Sequence, residues 1–422
     1  MVVGTILVAP FGEVRAMVQR VVSILAMVLV ASAPAGAAPA DPAAAAAEKQ
    51  RCPRPGEFAS VFSFGYGGDT MPKDDARFDE LLRKIKDAGF NVVHCTYTDK
   101  RLESCRKHGV KMMVDFLADE HHVYKSADQA KALAQRLRGS PDVWGYNIWN
   151  ESFGKTGPGR QRDILAVRSW DPTHPAYCGT YRTYGLRHLA CADVMGYYDY
   201  HWKRGPHYHF PHLLTYCKAA HDNNSIVYRW VEAAPGQPGN VTRSLYTANT
   251  SIACGLKGLL WFLATGLMDK DTLQWTPAGQ AIAQVHREIM PLKAEIMKIH
   301  LPSAVCSTPI TRTANNEALP DARNEMMPPG LENNGFPKDF AVQPAGGEFV
   351  LGAFKDDQGR DAFFLANHNA YATQEAGLKF TRPVKVSLFD RTKRQWAPMT
   401  VTDQTVRLTL QPGGGELLRL EK

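Results

Sequence analysis

Strand-like and helix-like segments alternate eight times over residues 56–300, and this repeat constrains the fold more than any other feature of the chain. The strand-like runs are short and rich in β-branched and aromatic residues, whereas the helix-like segments carry apolar residues at helical spacing. Such alternation predicts parallel β-α-β units, and eight units are the number in a (β/α)₈ barrel. The predicted strands are Val61–Tyr66, Asn91–Tyr97, Lys111–Phe116, Val143–Trp149, Ala176–Thr180, Val194–Tyr200, Ile226–Val231 and Gly258–Leu263. A long helix over Pro277–Ile299 is expected to close the barrel.

The alternative for such an alternation is an open, doubly wound sheet. That fold often carries a glycine-rich phosphate loop after its first strand. Here the first strand is followed by Gly65–Gly68, which lacks the GxGxxG order and opens no helix directly. The sequence therefore favours the barrel.

Composition excludes several classes of protein. Apolar residues make up 44% of the chain and charged residues 22%, which is typical of a globular protein. The net charge of +7 is modest for 422 residues, and no basic block is interleaved with aromatic residues. We therefore expect no nucleic-acid partner.

The N-terminus resembles a secretory signal. An apolar run over Val21–Ala31 follows Arg15 and Arg20, and Ala35–Ala37 supplies an A-x-A cleavage site. We expect a signal peptide over residues 1–37, a linker over 38–55, and a mature protein that is secreted, periplasmic or at the cell surface, without stable membrane insertion. An uncleaved N-terminal anchor is the alternative.

Eight cysteines in an exported chain permit disulfides, but their spacing suggests no particular pairing. None belongs to a CxxC pair, which argues against a structural zinc site. Several are expected to be small buried hydrophobic residues.

The pattern changes after residue 300. Residues 301–340 have no clear periodicity and predict an irregular connector, whereas residues 341–422 predict a small antiparallel β-sandwich that contributes no catalytic group. Its expected strands are Phe349–Phe354, Ala362–Asn367, Val384–Asp390, Val406–Leu410 and Glu416–Leu420.

Barrel closure predicts the site, because the carboxyl ends of all eight strands meet at one face. Two of the residues collected there are carboxylic acids with aromatic neighbours, Glu151 after strand four and Glu232 after strand seven. Paired carboxyls across a sugar-sized gap are what glycosidic bond cleavage requires. Other strand-end residues are candidates for binding a carbohydrate substrate, since sugars stack on aromatic rings and hydrogen-bond through their hydroxyls. These are Asp69, His94, Asn150, Arg182, Tyr198, Tyr200, Trp202 and Trp261, and Asp115 also lies at a strand end.

The pair Asn150-Glu151 with Glu232 resembles clan A, a group of retaining glycoside hydrolases with (β/α)₈ barrels that includes cellulases, mannanases and β-galactosidases. The turn Asp171–Pro175 ahead of strand five is similar to the Asp-Pro-Thr-Arg-Pro turn common there, and Trp261 stands where these enzymes often place a Trp beneath the reacting sugar. The resemblance covers roughly residues 58–300.

The resemblance implies roles for the strand-end residues. Glu151 would be the acid/base and Glu232 the nucleophile, while Asn150 would bond the sugar 2-hydroxyl. Tyr200, or otherwise Tyr198, would hydrogen-bond the nucleophile.

Two features depart from the family pattern. Ser152 stands where clan members usually have Pro, and the family's strand-two Arg is missing. Arg229 could replace that Arg, but strict alternation points it outward if Glu232 points inward.

Two other functions remain open. One is a barrel that binds carbohydrate without cutting it. The other is a metal-dependent hydrolase built on His207, His209 and His212, although no carboxylates accompany this segment. The leading hypothesis needs no metal and no cofactor.

Overall fold

A closed barrel of eight parallel strands is followed by two antiparallel sheets in the computed structural model. The structure describes residues 55–64, 71–116, 126–149, 157–180, 186–189, 191–198, 209–232, 240–299, 302–308, 310–312, 318–323 and 338–421, with Cys52 and Phe336. Within these ranges the side chains of residues 149, 157–158, 187–188, 209–211, 232, 310–312 and 318–323 are not described. The predicted fold class, a (β/α)₈ barrel followed by a small antiparallel β-sandwich, is confirmed.

Each barrel strand pairs with the next in chain order, and β8 closes the sheet on β1. The strands are β1 (Ala59–Phe62), β2 (Val92–Cys95), β3 (Lys111–Asp115), β4 (Val143–Trp149), β5 (Ala176–Thr180), β6 (Val194–Tyr198), β7 (Ile226–Glu232) and β8 (Gly258–Phe262). The helices are α1 (Asp75–Asp87), α2 (Asp99–His108), α3 (Ala127–Leu137), α4 (Gly157–Trp170), α5 (Leu186–Leu189), α6 (His209–Asp222), α7 (Val241–Ala253), α8 (Pro277–Ile289) and α9 (Lys293–Lys298).

Local sequence signals explain several helix ends. Ser126 is the N-cap of α3, and its side chain accepts a hydrogen bond from the Gln129 N–H. Gly109 ends α2 in the left-handed conformation, with φ of 60°. The prediction of one long helix over Pro277–Ile299 is wrong, because Met290–Leu292 form a 3₁₀ turn between α8 and α9. Pro291 cannot donate the backbone hydrogen bond that a continuous α-helix needs there.

The C-terminal region is a sandwich of a six-stranded sheet and a three-stranded sheet. Its strands are β9 (Ala304–Ser307), β10 (Ile310–Arg312), β11 (Ala318–Arg323), β12 (Val342–Pro344), β13 (Phe349–Lys355), β14 (Asp361–Asn367), β15 (Gln374–Phe380), β16 (Lys385–Asp390), β17 (Gln395–Pro398), β18 (Thr405–Leu410) and β19 (Gly415–Glu421). The six-stranded sheet runs β17-β16-β19-β14-β13-β9, the three-stranded sheet runs β12-β15-β18, and β10 and β11 form a separate pair.

The segment 301–340 differs from the expected irregular connector. Strand β9 lies within it and pairs with β13 at the edge of the six-stranded sheet, and β10 and β11 form a two-stranded sheet. Strands β12, β15 and β17 are additions to the five strands expected in the sandwich. Their exposed faces carry charged and polar residues, which weakened the strand signal in the sequence.

The six-stranded sheet packs against the barrel through α7. Every residue of α7 from Leu245 to Ala253 is buried. A Cβ atom at Gly352 on β13 would lie 2.0 Å from the Ala253 carbonyl oxygen, so only glycine permits this approach. The Asn249 side-chain amide donates to the Gly413 carbonyl across the same interface, over 2.9 Å. Because it is covered on both faces, β13 is almost uniformly apolar.

Candidate active site

The interior of the barrel is divided into a polar half and an aromatic half. Buried polar side chains face inward from the first four strands or directly after them, and large aromatic rings face inward from β4 to β8. The polar side chains and the rings of Tyr198, Trp230 and Phe262 lie in the carboxyl-terminal part of the barrel, next to the mouth where the sequence predicts the site.

Four rings of the aromatic half contact one another. Tyr198 on β6 stacks on Trp230 of β7 with centroids 5.0 Å apart, and Phe262 of β8 meets Trp230 edge to face at 4.9 Å. The Trp230 indole N–H donates to the Tyr177 hydroxyl of β5. These rings fit because the strands also carry glycine: a Cβ atom at Gly196 would lie 1.9 Å from the Tyr177 hydroxyl oxygen.

The polar half is a hydrogen-bonded cluster of Ser63, His94, Asp115 and Asn147, which we call the floor cluster. Ser63 Oγ lies 3.0 Å from His94 Nδ1, and His94 Nε2 bonds Asp115 Oδ1. The Asn147 side-chain nitrogen donates to Asp115 Oδ1 over 3.0 Å and lies 2.9 Å from His94 Nε2. All four residues are at most 2% exposed.

The floor cluster is incompletely satisfied. Asp115 Oδ2 and Asn147 Oδ1 are buried, and neither has a hydrogen-bond partner among the described residues. A buried polar atom without a partner costs about 1–3 kcal/mol. Stability alone therefore gives a weak reason for this arrangement.

Strand β4, which precedes Glu151, is irregular at two points. Its pairing with β3 shifts between Val143 and Gly145, and its pairing with β5 shifts between Asn147 and Trp149. At the first shift the alternation of faces breaks, because Trp144 packs inside the barrel whereas Asn147, three residues later, also faces inward. A β-bulge has this effect, and bulges are frequent beside active sites.

The outer face of β4 is held by the turn before β5. The Tyr146 hydroxyl donates to Asp171 Oδ2 over 2.6 Å, and His174 Nδ1 lies 2.7 Å from the same oxygen. Burial would raise the pKa of Asp171, but hydrogen bonds from His174, Thr173 and Tyr146 outweigh it and lower the pKa to about 2. The Asp171–Pro175 turn therefore anchors β4 from outside the barrel.

The two predicted catalytic carboxylates follow described strands. Glu232 is the last residue of β7 and pairs in register with Phe262, two residues after Trp230. Glu151 comes two residues after the end of β4 and lies outside the described residues, as do Asp69, Asn150, Arg182, Tyr200 and Trp202. The separation of the two carboxyl groups therefore stays a prediction.

Two predicted substrate contacts need correction. Trp261 faces away from the barrel interior: its indole N–H donates to Ser60 Oγ over 3.0 Å, and its ring packs near His286 of α8. The prediction that Trp261 lies beneath the sugar is wrong, because alternation along β8 turns Phe262 inward instead. His94 faces inward as predicted, but both ring nitrogens bond the floor cluster, so it is not a direct sugar ligand.

Arg229 points outward, as alternation predicts. Its guanidinium donates to Ser251 Oγ of α7 over 2.8 Å and lies 5.6 Å from the centroid of the Tyr197 ring. The side chain is fully buried between β7 and the helix layer. It therefore supports the strand that carries Glu232 from outside the barrel.

Sequence reasoning missed the floor cluster as a unit. Asp115 was recognised only as a strand-end residue, and Asn147 received no role. The available signal was a polar residue inside an otherwise apolar strand, at Asn147 between Tyr146 and Ile148. Pairing between strands, which brings these positions together, is not visible in the sequence.

All eight cysteines lie among the described residues, and each is a buried thiol. Burial raises the pKa of Cys95 and of Cys217 to about 12. This agrees with the expected role of several cysteines as small apolar residues. In the described ranges no three His, Cys, Asp or Glu side chains form a metal-binding group, and no helix there is long and apolar enough to cross a membrane.

Comparisons with known proteins identify the fold only. No protein-family model and no curated protein matches the chain. A solved structure described as a glycoside hydrolase aligns with a TM-score of 0.50 at 10% identity, covering 86% of this chain and 92% of that chain. A GH27 β-L-arabinopyranosidase from Geobacillus stearothermophilus aligns with a TM-score of 0.47 at 9% identity, over 91% and 98% of the two chains. The chain thus shares its fold with a solved structure described as a glycoside hydrolase.

Proposed function

We propose that this chain is a retaining glycoside hydrolase that cleaves β-glycosidic bonds in a polysaccharide or oligosaccharide. The observation that supports the proposal is a closed parallel barrel in which two carboxylic acids stand at or just after strand ends in the chain. Glu232 is the last residue of β7, and Glu151 follows the end of β4 by two residues, so we expect both carboxyl groups at the carboxyl-terminal face. The fold shared with a solved glycoside hydrolase supports the same reaction class.

The reaction proceeds by double displacement. The Glu232 carboxylate attacks the anomeric carbon, while Glu151 gives its proton to the departing glycosidic oxygen. Glu151 then takes a proton from water, whose oxygen attacks the anomeric carbon and releases Glu232 from the glycosyl ester. Protons balance over the two steps, and no cofactor is required.

The inner wall of the barrel favours a sugar. The rings of Tyr198 and Phe262 supply an apolar surface near the mouth, which suits the C–H face of a pyranose. Among the residues outside the described ranges, Asn150 would bond the sugar 2-hydroxyl and Tyr200 the nucleophile. Further substrate contacts are assigned to Asp69, Arg182 and Trp202.

Export is part of the proposal. The apolar run and small-residue exit of residues 1–37 support a signal peptide, which places the mature enzyme in the periplasm, at the cell surface or outside the cell. A polysaccharide substrate would be met there.

The test separates the two carboxylates. Glu232→Ala should abolish turnover of every substrate, and azide should restore it as a glycosyl azide of inverted configuration. Glu151→Ala should spare the first step for dinitrophenyl glycosides, whose leaving group needs no proton, and azide should then give a product of retained configuration. Glu103→Ala is the matched control, because this exposed carboxylate lies on α2 away from the strand ends.

Two results would contradict the proposal. Equal loss by both variants on activated and natural substrates, without azide rescue, would refute the division of roles. A wild-type protein that binds glycans but cleaves none in a broad panel would instead establish the carbohydrate-binding barrel.

A further inference from the structure

The two register shifts of β4 enclose two residues that are hydrogen-bonded to neighbouring elements on opposite faces of the strand. Between the shifts lie Tyr146 and Asn147, which face opposite sides of the strand. Tyr146 is bonded to Asp171 outside the barrel, and Asn147 is bonded to Asp115 inside it. The strand is therefore clamped on both faces at one point, directly before the segment that carries Glu151.

A bulged strand needs such a clamp. The alternation of faces has a period of two, so a shift by one residue exchanges the faces of every residue that follows. Apolar packing alone distinguishes poorly between the possible registers of β4, because aromatic residues occupy both of its faces. Trp144 lies inside the barrel and Tyr146 outside it. The bonds from Asn147 to β3 and its contact with His94 of β2 single out one register.

The composition of the floor cluster is consistent with a task other than stability. It buries a carboxylate and leaves Asp115 Oδ2 and Asn147 Oδ1 without partners among the described residues. Apolar residues of similar size would fill the same space without that penalty. Proteins depart from full polar satisfaction mainly at functional sites.

We propose that His94 and Asp115 are positioning residues that act through Asn147 to fix the register of β4, and so the place from which Glu151 reaches the substrate. This inference rests on the proposed function. His94 and Asp115 touch neither the sugar nor the reacting atoms; they hold the strand that presents the acid. Ser63, the residue after β1, supports His94 through the Nδ1 contact.

The proposal predicts a selective kinetic defect. A displaced acid/base harms substrates whose leaving group needs a proton, whereas dinitrophenyl glycosides need none in the first step. Asn147→Ala should therefore lose about a hundredfold in kcat on substrates with poor leaving groups, the effect of about 1 Å of misplacement. Formation of the glycosyl-enzyme from dinitrophenyl glycosides should be nearly unchanged. A merely structural role would lower both alike.

The second measurement does not depend on catalysis. Hydrogen exchange followed by mass spectrometry should show faster exchange across residues 143–149 in Asn147→Ala. His286→Gln is the matched control, because His286 is also buried and bonded to a serine, Ser60, but lies on the outer side of the barrel. In His286→Gln, both the hydrogen exchange of β4 and the dependence of kcat on the leaving group should equal those of the wild type. If Asn147→Ala does not fold, Asp115→Asn is used as the test variant instead, because asparagine keeps the shape of the aspartate side chain.

The outcomes are distinct. Unchanged exchange in β4, or equal losses on all leaving groups, overturns the positioning role. If the wild type cleaves no glycoside, the proposed function fails, and the exchange measurement still decides whether the floor cluster fixes the strand.

Discussion

His286 should make the protein sensitive to mild acid. Its Nδ1 bonds the Ala88 carbonyl oxygen over 2.7 Å, so this nitrogen carries the hydrogen, and Nε2 accepts from the Ser60 hydroxyl over 2.6 Å. Ser60 Oγ in turn accepts from the Trp261 indole N–H. A second proton on Nε2 would meet a hydroxyl that already has a donor, in a fully buried place. Burial accordingly lowers the pKa of His286 to about 4.

The magnitude follows from linkage. The pKa is 6.5 in the unfolded chain and about 4 in the folded one, so the unfolded state binds the proton first as the pH falls. The stability contribution is complete above pH 6.5 and is lost between pH 6.5 and 4. From these two values, the free energy of unfolding should fall by about 2–3 kcal/mol between pH 7.5 and pH 4.5 through this residue alone.

Urea unfolding of the wild type and of His286→Gln at both pH values isolates the effect. Other titrating groups act on both proteins and cancel in the difference. The wild type should be the more stable protein at pH 7.5, and its advantage should shrink by about 2–3 kcal/mol at pH 4.5. An advantage that stays constant over this range would show that His286 is not held neutral by burial, and the reasoning would fail.

Further predictions test the domain interface, the thiols, the carboxylates and export. Gly352→Val should destabilise the protein by about 1–3 kcal/mol or more in thermal unfolding, since its Cβ would meet the Ala253 carbonyl, whereas Gly56→Ala, with open space around it, should be neutral. Ellman's reagent should find almost no reactive cysteine in the native protein and eight reactive cysteines after denaturation without reductant, because all eight are buried thiols. Fewer than eight reactive cysteines after denaturation would reveal disulfides. A crystal structure should place the two catalytic carboxyls about 5–5.5 Å apart, whereas about 8 Å would indicate inversion. N-terminal sequencing should find the mature chain beginning near Ala38, and an intact Met1 would contradict export.

Much of the barrel could be predicted from local signals. Val143–Trp149 and Ala176–Thr180 have the bounds that the sequence predicts, because Pro, Gly and polar residues mark the ends of short apolar runs. The N-cap Ser126 was equally visible, since capping depends on a side chain and a backbone amide three residues apart. The eightfold repeat then determined the fold class, because parallel strands joined by helices close at that number.

The sandwich was harder to predict. Strand β15 was missed because polar residues such as Glu375 and Lys379 face solvent and dilute its apolar pattern. Strand β9 was missed because four residues at a sheet edge carry little periodicity, and pairing with β13 decides their conformation. Both depend on partners distant in sequence.

Inside the barrel, the sequence by itself determined which residue types approach the mouth, and tertiary structure decided which of them face inward. Alternation separates the two faces of a strand but does not say which is inside, and Trp261 shows the error that follows. On β4 even alternation fails, because its pairing shifts at Gly145, where a Cβ atom would lie 2.4 Å from the Pro175 carbonyl oxygen. The floor cluster joins His94, Asp115 and Asn147 across three strands in the register that results. Register is a property of pairs of strands, so no single segment encodes it.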